Sequence, residues 1–178
     1  MHLQIAFAAL PADAGHADAT PPELPHLAGL LARWVEVGAD HGPETSLSPP
    51  HERALATAWG WTIEDGLLPF AAVAAADDGL DLDAADAGWA LLSPTHWQAS
   101  AERVALADPA GLALDEAASK ALFAAVLPLF ADAGWTLRWG APTRWYAAHP
   151  SLAALPTASL DRVAGRSIAP WLNRQPQA

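Results

Sequence analysis

The sequence contains no cysteine among its 178 residues. This absence excludes disulfide bonds, thiolate metal sites and cysteine nucleophiles. No apolar run reaches the roughly 20 residues that a membrane-spanning helix needs, and the N-terminus lacks the basic and then apolar order of a secretion signal. We therefore expect a soluble, cytoplasmic protein without a membrane partner.

Basic residues are scarce and unevenly placed. One Lys and eight Arg stand against 20 Asp and Glu, which gives a formal net charge of −11. Residues 1–132 carry 19 acids and four bases, a balance of −15, whereas residues 133–178 carry five Arg and one acid, a balance of +4. The basic end either binds an acidic protein partner or a small anionic metabolite, or neutralises the acidic remainder of the same domain. The large negative balance disfavours nucleic acid as a partner, because it repels phosphates.

Large apolar side chains are also limited, since 44 residues are Ala. Ala buries little surface, so most of the stabilisation must come from Leu, Val, Phe and the nine Trp, each worth roughly 1.5–3 kcal/mol when buried. The length fits one domain over residues 1–178, of a size that buries roughly 70% of the surface of its unfolded chain.

Residues 1–88 are predicted to be rich in helix. LQIAFAAL (3–10) predicts a buried strand. Apolar residues at helical spacing predict a helix within PPELPHLAGLLARWVEVG that stops near Gly38. The next helix is predicted to have Ser48 as its N-cap and Pro49 as its first residue.

The rest of the chain alternates predicted strands and helices. After Asp65, LLPFAAVAAA predicts a third, weaker helix, and the Asp-rich residues 77–88 predict a solvated loop. Residues 89–149 predict the order β-β-α-β-β with antiparallel pairing at both ends, in which Asp115 caps the helix and GAPT turns the last hairpin. Residues 150–174 predict a short helical segment. The expected fold class is α+β: a mixed or antiparallel sheet with the N-terminal helices packed on it.

The first polar stretch is SLSPPHERALA, in which the helix start accounts for Ser48 and leaves His51, Glu52 and Arg53 in the first turn. A His beside an acid at a helix N-terminus suits either proton transfer or anion binding. Alternatively, Glu52 complements the helix dipole for ~0.3–1 kcal/mol, and Arg53 pairs locally. Both interpretations stay open on the sequence alone.

The second polar stretch is SPTHW (93–97), which interrupts a strand-like run. Pro94 cannot donate to a sheet ladder, so Thr95 and His96 are expected at a bulge or strand end, where sites often lie. The alternative interpretation is that His96 packs against its neighbours without a chemical role.

The third polar stretch, TASLDRVAGR, places Ser159, Asp161, Arg162 and Arg166 close together. Two guanidinium groups beside helix N-termini suit a phosphate or a carboxylate. The alternative is that Asp161 pairs with an Arg and pins the C-terminal segment to the acidic body. The sequence has none of the patterns HxH, HExxH, GxSxG, GxxxxGK[ST] and GxGxxG, so we expect no metal site and no cofactor.

LSPPHERALA, WALLSPTHW and TASLDRVAGRSIAPWL together resemble a proteobacterial family over nearly the whole chain. Its members are named either as regulatory proteins of the "regulator of pathogenicity factors E" type or as predicted cofactor-independent phosphoglycerate mutases. The resemblance therefore implies either a regulatory role or mutase chemistry. The Asp that holds metal near the end of the corresponding strand in the mutase superfamily is missing from LQIAFAAL, so no catalytic residue is carried over.

These observations rank three functions. The first is a cytoplasmic regulatory or interaction domain without metal chemistry, which binds a small anion or an acidic partner. The second is a phosphoglycerate-mutase-like or phosphate-ester enzyme, and the third is local binding of single-stranded nucleic acid through Trp and Arg. The candidate catalytic residues are His51, Glu52 and His96, the candidate anion-binding residues are Arg53, Arg144, Arg162 and Arg166, and the supporting polar residues are Ser48, Thr95, Ser159 and Asp161.

Overall fold

The computed structural model describes residues 23–35, 42–81 and 88–172. The predicted strand LQIAFAAL lies outside these ranges. The first predicted helix ends at Leu31, and Trp34 and Val35 are not helical, so the prediction that it stops near Gly38 is wrong. Within them, five α-helices and two antiparallel sheets confirm the α+β class. The helices are α1 (Pro25–Leu31), α2 (Pro50–Ala58), α3 (Phe70–Asp77), α4 (Glu116–Asp132) and α5 (Leu160–Val163). The strands are β1 (Gly88–Leu92), β2 (Trp97–Ala99), β3 (Val104–Leu106), β4 (Thr136–Ala141) and β5 (Arg144–His149), and short 3₁₀ turns cover Pro109–Leu112 and Pro150–Leu152.

The predicted order β-β-α-β-β needs one correction, because three strands precede α4. The strand-like stretch 89–98 divides into β1 and β2, which belong to different sheets. Pro94 lies between them and lacks the N–H group that a continuous ladder requires. As a result, β1 pairs antiparallel with the distant β5, while β2 pairs antiparallel with β3.

A three-stranded antiparallel sheet with the order β1-β5-β4 forms the centre of the described fold. Residues 145–148 of the central strand β5 are all buried. Because side chains alternate along a strand, Trp145 and Tyr146 point to opposite faces of the sheet. On one face, Phe123 of α4 meets the Trp145 ring edge-on at 5.3 Å. On the other face, Ala75 of α3 packs against Tyr146, so the sheet lies between α3 and α4.

One buried hydroxyl fastens α4 to the sheet. Ser119 is fully buried, and its Oγ donates to the Pro142 carbonyl at 2.8 Å. The same oxygen accepts the indole N–H groups of Trp139 at 2.9 Å and of Trp145 at 3.1 Å. These bonds satisfy two indoles that would be costly to bury without a partner.

The prediction of a solvated loop over residues 77–88 is wrong at Asp78, whose side chain is only 5% exposed. Its carboxylate accepts two hydrogen bonds from the Arg144 guanidinium and the hydroxyl hydrogen of Tyr146, the last at 2.6 Å. The bonds from Arg144 hold the pKa of Asp78 below its ordinary value. Burial, and then the bond to Asp78, raises the pKa of the Tyr146 hydroxyl. This Asp78 cluster of Asp78, Arg144 and Tyr146 joins the end of α3 to β5.

The β2–β3 hairpin forms a second small sheet. The C-terminal segment, residues 160–172, lies along β3. The Gly165 N–H donates to the Leu106 carbonyl at 2.7 Å, and the Ile168 N–H donates to the Val104 carbonyl at 2.9 Å. α5 ends just before Gly165, whose φ of 73° lies in the left-handed region that glycine adopts without strain. The C-terminal segment therefore extends the small sheet on its β3 side.

Gly140 on β4 leaves room for the Asp78 cluster. A Cβ atom at this position would lie 2.6 Å from both Asp78 Oδ2 and Tyr146 Cε2. We expect Gly140→Ala to lower the free energy of unfolding by about 1–3 kcal/mol, because neither buried group can move without weakening its hydrogen bonds. Urea denaturation measures this loss. Gly29→Ala is the control, since a Cβ there meets nothing within 4 Å, and an equal loss in both variants would contradict the prediction.

Candidate functional site

Two of the three polar stretches meet where the start of α2 contacts the start of α5. Glu52 accepts a hydrogen bond from the Ser159 hydroxyl, and His51 Nε2 lies 3.1 Å from Asp161 Oδ2. The Leu47 carbonyl, in the loop before α2, accepts the N–H of Ser159 at 3.0 Å. The contacts among His51, Glu52, Ser159 and Asp161 form what we name the α2–α5 junction.

Ser48 does not cap α2, contrary to the prediction. α2 begins at Pro50, and its N-cap is Pro49, which offers no side-chain hydrogen bond. Ser48 Oγ instead accepts the N–H of Gly66 at 3.0 Å. Two successive prolines both suit the first position of a helix, and the contacts of the preceding loop determine which of them takes it.

Asp65 organises the loop before α2, a role that the sequence analysis missed. Its carboxylate accepts the N–H groups of Leu47 at 2.9 Å and Ser48 at 2.8 Å, and the hydroxyl of Ser46 at 3.1 Å. Burial acts to raise the pKa of Asp65, but these hydrogen bonds outweigh it and bring the pKa below its ordinary value. Arg53 stabilises the same loop by donating hydrogen bonds to Ser46 Oγ at 2.8 Å and to the Ser48 carbonyl.

The pKa of Glu52, an acidic residue of the α2–α5 junction, departs from its ordinary value. Burial is the largest influence and raises its pKa, Asp161 adds to the rise, and the Ser159 hydroxyl, His51 and Arg162 oppose it. The net direction is upward from the ordinary value. The contact between His51 and Asp161 is an ion pair when the imidazole carries a proton. Acidic and basic groups therefore pair with one another across the junction and tie α2 to α5.

The arginines expected to bind an anion are Arg53, Arg144, Arg162 and Arg166. Arg144 belongs to the Asp78 cluster, apart from the junction. Arg162 Nη2 donates to the Pro43 carbonyl at 3.0 Å, in the loop that Arg53 also binds. Arg166 is exposed and forms no ion pair with any residue that the structure describes. The structure thus brings two of the four to one loop, where both donate to protein oxygens.

In the SPTHW stretch, Trp97 lines a cleft, whereas the expected polar residues Thr95 and His96 do not. Thr95 Oγ1 donates to the Ala107 carbonyl and so belongs to the base of the β2–β3 hairpin. The side chain of His96 is exposed and makes no hydrogen bond or ion pair within the described part of the chain. Trp97, by contrast, lies beside the C-terminal segment.

A cleft of about 270 Å³ lies between the hairpin and the C-terminal segment. Its large apolar lining residues are Trp97, Leu106, Leu155, Val163, Ile168, Trp171 and Leu172, and these seven define the hairpin cleft. A neighbouring cavity of about 320 Å³ shares Ile168 and Leu172 with it, and Arg103 and Glu102 line that end. No local sequence pattern indicates this concave apolar surface, because its lining residues come from distant parts of the chain.

Comparison with known proteins assigns no function to these residues. No family model, no curated protein and no solved structure matches the chain. Across residues 23–35, 42–81 and 88–172, no group of three or more His, Asp and Glu is placed so that it could hold a metal ion. No helix in these ranges combines the length and the apolar character needed to cross a bilayer.

The raised pKa of Glu52 predicts a pH-dependent contribution to stability. Such a group supports the fold fully below its ordinary pKa of 4.5, and this support is lost as the pH rises through the higher folded-state pKa. Glu52→Gln keeps an acceptor for Ser159 and removes the charge. We therefore expect the variant to gain stability over the native chain as the pH rises from about 4.5 to neutral.

Urea denaturation at a series of pH values measures this difference. Glu64→Gln, which removes the charge of an exposed carboxylate, is the matched control and should show a smaller dependence on pH. A difference between Glu52→Gln and the native chain that stays constant with pH would contradict the assignment.

Proposed function

We propose that the chain is a regulatory or interaction domain whose hairpin cleft binds an apolar segment of a partner protein. The observation that carries this proposal is the exposure of two large side chains, Trp97 at 56% and Leu172 at 52%. Both line the same concave surface. Contiguous exposed apolar surface in a cleft is typical of a binding site, whereas single scattered apolar residues are common on any surface.

The chemistry of the cleft favours a peptide segment over a charged small molecule. Its walls are mainly hydrocarbon and indole surfaces, with Thr157 as the polar side chain in the lining. Burial of one large apolar side chain contributes roughly 1.5–3 kcal/mol. Tryptophan in a concave patch is a frequent anchor of protein interfaces. A partner that inserts an aliphatic or aromatic side chain would shield both the hairpin wall and the C-terminal wall from water.

Other exposed apolar residues provide a weaker basis for binding. Leu129 is 69% exposed, but it lies on the outer surface of α4 and lines neither of the two cavities. A single exposed leucine on a helix surface requires no partner. Leu129 is therefore useful as a comparison for Leu172, because both are exposed leucines and only Leu172 lines the cleft.

The regulatory role that the family resemblance implies belongs to the same class of function. Phosphate-ester chemistry and binding of single-stranded nucleic acid both require cationic groups that converge on one open surface. Arg53, Arg144 and Arg162 each donate to acceptors of this chain instead. These contacts favour the interaction domain over the two alternatives.

Selection from a phage-displayed library of random peptides tests the proposal. With the native chain immobilised, we expect enriched peptides to carry a large apolar residue, because such a residue fills the cleft. Leu172→Asp places a charge in the lining and should weaken binding of these peptides at least about tenfold. Isothermal titration calorimetry with synthetic copies of the peptides measures the change.

Leu129→Asp is the matched control for this experiment. It introduces the same charge at an exposed leucine outside the cleft, so the affinity should stay within about twofold of the native value. Thermal denaturation of both variants checks that each remains folded. Equal weakening by both substitutions, or an unchanged affinity in Leu172→Asp, would exclude the hairpin cleft as the docking surface.

A further inference from the structure

The α2–α5 junction holds the stretch of chain that lines one wall of the hairpin cleft. Residues 155–158 line the cleft, and so does Val163 of α5. Between them stand Ser159 and Asp161, whose side chains contact the first turn of α2. The position of this wall therefore depends on two side-chain contacts with α2.

The contact between His51 and Asp161 depends on a proton. Nε2 of the imidazole lies 3.1 Å from Oδ2 of the carboxylate, and the two side chains are 34% and 65% exposed. The charge of a histidine changes between about pH 5 and pH 8, so the contact is an ion pair only in the acidic part of this range. Because water screens a pair this exposed, its loss should loosen α5 without unfolding the chain.

Glu52 responds to pH in the same direction as His51. Its partly buried carboxyl accepts the Ser159 hydroxyl hydrogen. Burial raises the pKa of Glu52, the Asp161 carboxylate adds to the rise, and the bond from Ser159 does not outweigh them. As the pH increases, Glu52 gains a negative charge beside Asp161 while His51 loses its positive charge. Both changes weaken the attachment of α5 to α2.

The other charged groups near the junction keep their charge over this pH range. Arg162 acts on Glu52 from α5, and Arg53 and Asp65 bind the loop before α2. Both arginines stay protonated. Asp65 stays ionised, because its hydrogen bonds to the loop hold its pKa below the ordinary value. Within the described part of the junction, the change in charge therefore comes from His51 and Glu52.

Backbone hydrogen bonds limit how far the wall can move. The N–H groups of Thr157 and Ser159 donate to the carbonyls of Gly66 and Leu47, each at 3.0 Å. These bonds do not titrate, so the first part of the wall stays in place at every pH. A weakened junction instead frees α5, which carries Val163 into the lining of the cleft.

We infer that the α2–α5 junction makes the hairpin cleft sensitive to pH, so that the cleft binds its partner more tightly at mildly acidic pH than at pH 8. This inference rests on the proposed function, to which it adds a means of regulation. A protonated His51 and a neutral Glu52 hold α5 against α2 and keep Val163 in the wall. Loss of both protons lowers the fraction of molecules in which the wall is formed, and the apparent affinity falls with that fraction.

Peptide affinity measured at two pH values tests the inference. Isothermal titration calorimetry at about pH 5.5 and about pH 8 uses a selected peptide with blocked termini and no His, Asp or Glu, so that the peptide keeps its charge. We expect the affinity of the native chain to fall about threefold between them. A double variant, His51→Gln with Glu52→Gln, lacks both titrating groups and should change less than about 1.5-fold.

His26→Gln is the matched control, because His26 is exposed on α1 and lines neither cavity. This variant should keep the pH dependence of the native chain. A native affinity that is equal at both pH values, or a pH dependence that persists in the double variant, would overturn the inference. The proposed function would survive either result if Leu172→Asp still weakened binding.

Hydrogen exchange followed by NMR measures the wall without a ligand. The N–H groups of Ala164 and Gly165 donate to the carbonyls of Leu160 and Leu106, so their exchange reports the opening of α5. At about pH 5.5 we expect both to exchange about threefold faster in His51→Gln than in the native chain, and at about pH 8 equally fast. Comparison at one pH cancels the chemical rate of exchange.

The exchange experiment separates failure of the inference from failure of the proposed function. Equal exchange in the two chains at about pH 5.5 would show that the junction does not hold α5, and the inference would be wrong even if peptides bind the cleft. If no selected peptide depends on Leu172, the proposed function fails and the regulation of binding fails with it. Faster exchange in His51→Gln together with a pH-dependent native affinity supports the inference.

Discussion

The scarcity of large side chains makes buried polar groups decisive in this fold. Ala75 brings α3 close to Tyr146 but removes little apolar surface from water, so packing alone holds the helix weakly. The Asp78 carboxylate supplies a stronger attachment, because it accepts hydrogen bonds from Arg144 and Tyr146 where α3 ends. Ser119 has the same role on the opposite face, where one hydroxyl satisfies two indoles and a carbonyl. The positions of both helices therefore depend on a few directional bonds.

Hydrogen bonds and polar side-chain contacts also position the segment that forms one wall of the cleft. The C-terminal segment is held on one side by backbone hydrogen bonds to β3 and on the other side by the α2–α5 junction. This segment carries Val163 and Ile168, which form one wall of the hairpin cleft, while the hairpin forms the other wall. The shape of the cleft therefore depends on the contact between Glu52 and Ser159. The hydrogen bond from Ser159 offsets part of the free-energy cost of burying the Glu52 carboxylate.

Sequence patterns identify this fold where the determinants are local. α4 starts after Asp115, which caps it as predicted, and the alternation of side chains identifies the hairpin of β4 and β5. Asp78 resembles its Asp-rich neighbours in sequence, and only Arg144 and Tyr146, 66 and 68 positions later, explain its burial. Ser48 fits the pattern of a helix cap, but Asp65 binds the loop that contains it. The hairpin cleft exists only once the C-terminal segment pairs with β3, a contact that no local pattern reveals.

Several of the basic residues near the C-terminus stabilise the fold by contacts within the chain. Arg144 pairs with Asp78, and Arg162 donates to a loop carbonyl, so part of the basic end is used within the described fold. Arg166 is exposed. A chain with a net charge of −11 repels an acidic partner at long range, so affinity for an apolar segment must arise at contact, from apolar burial in the hairpin cleft.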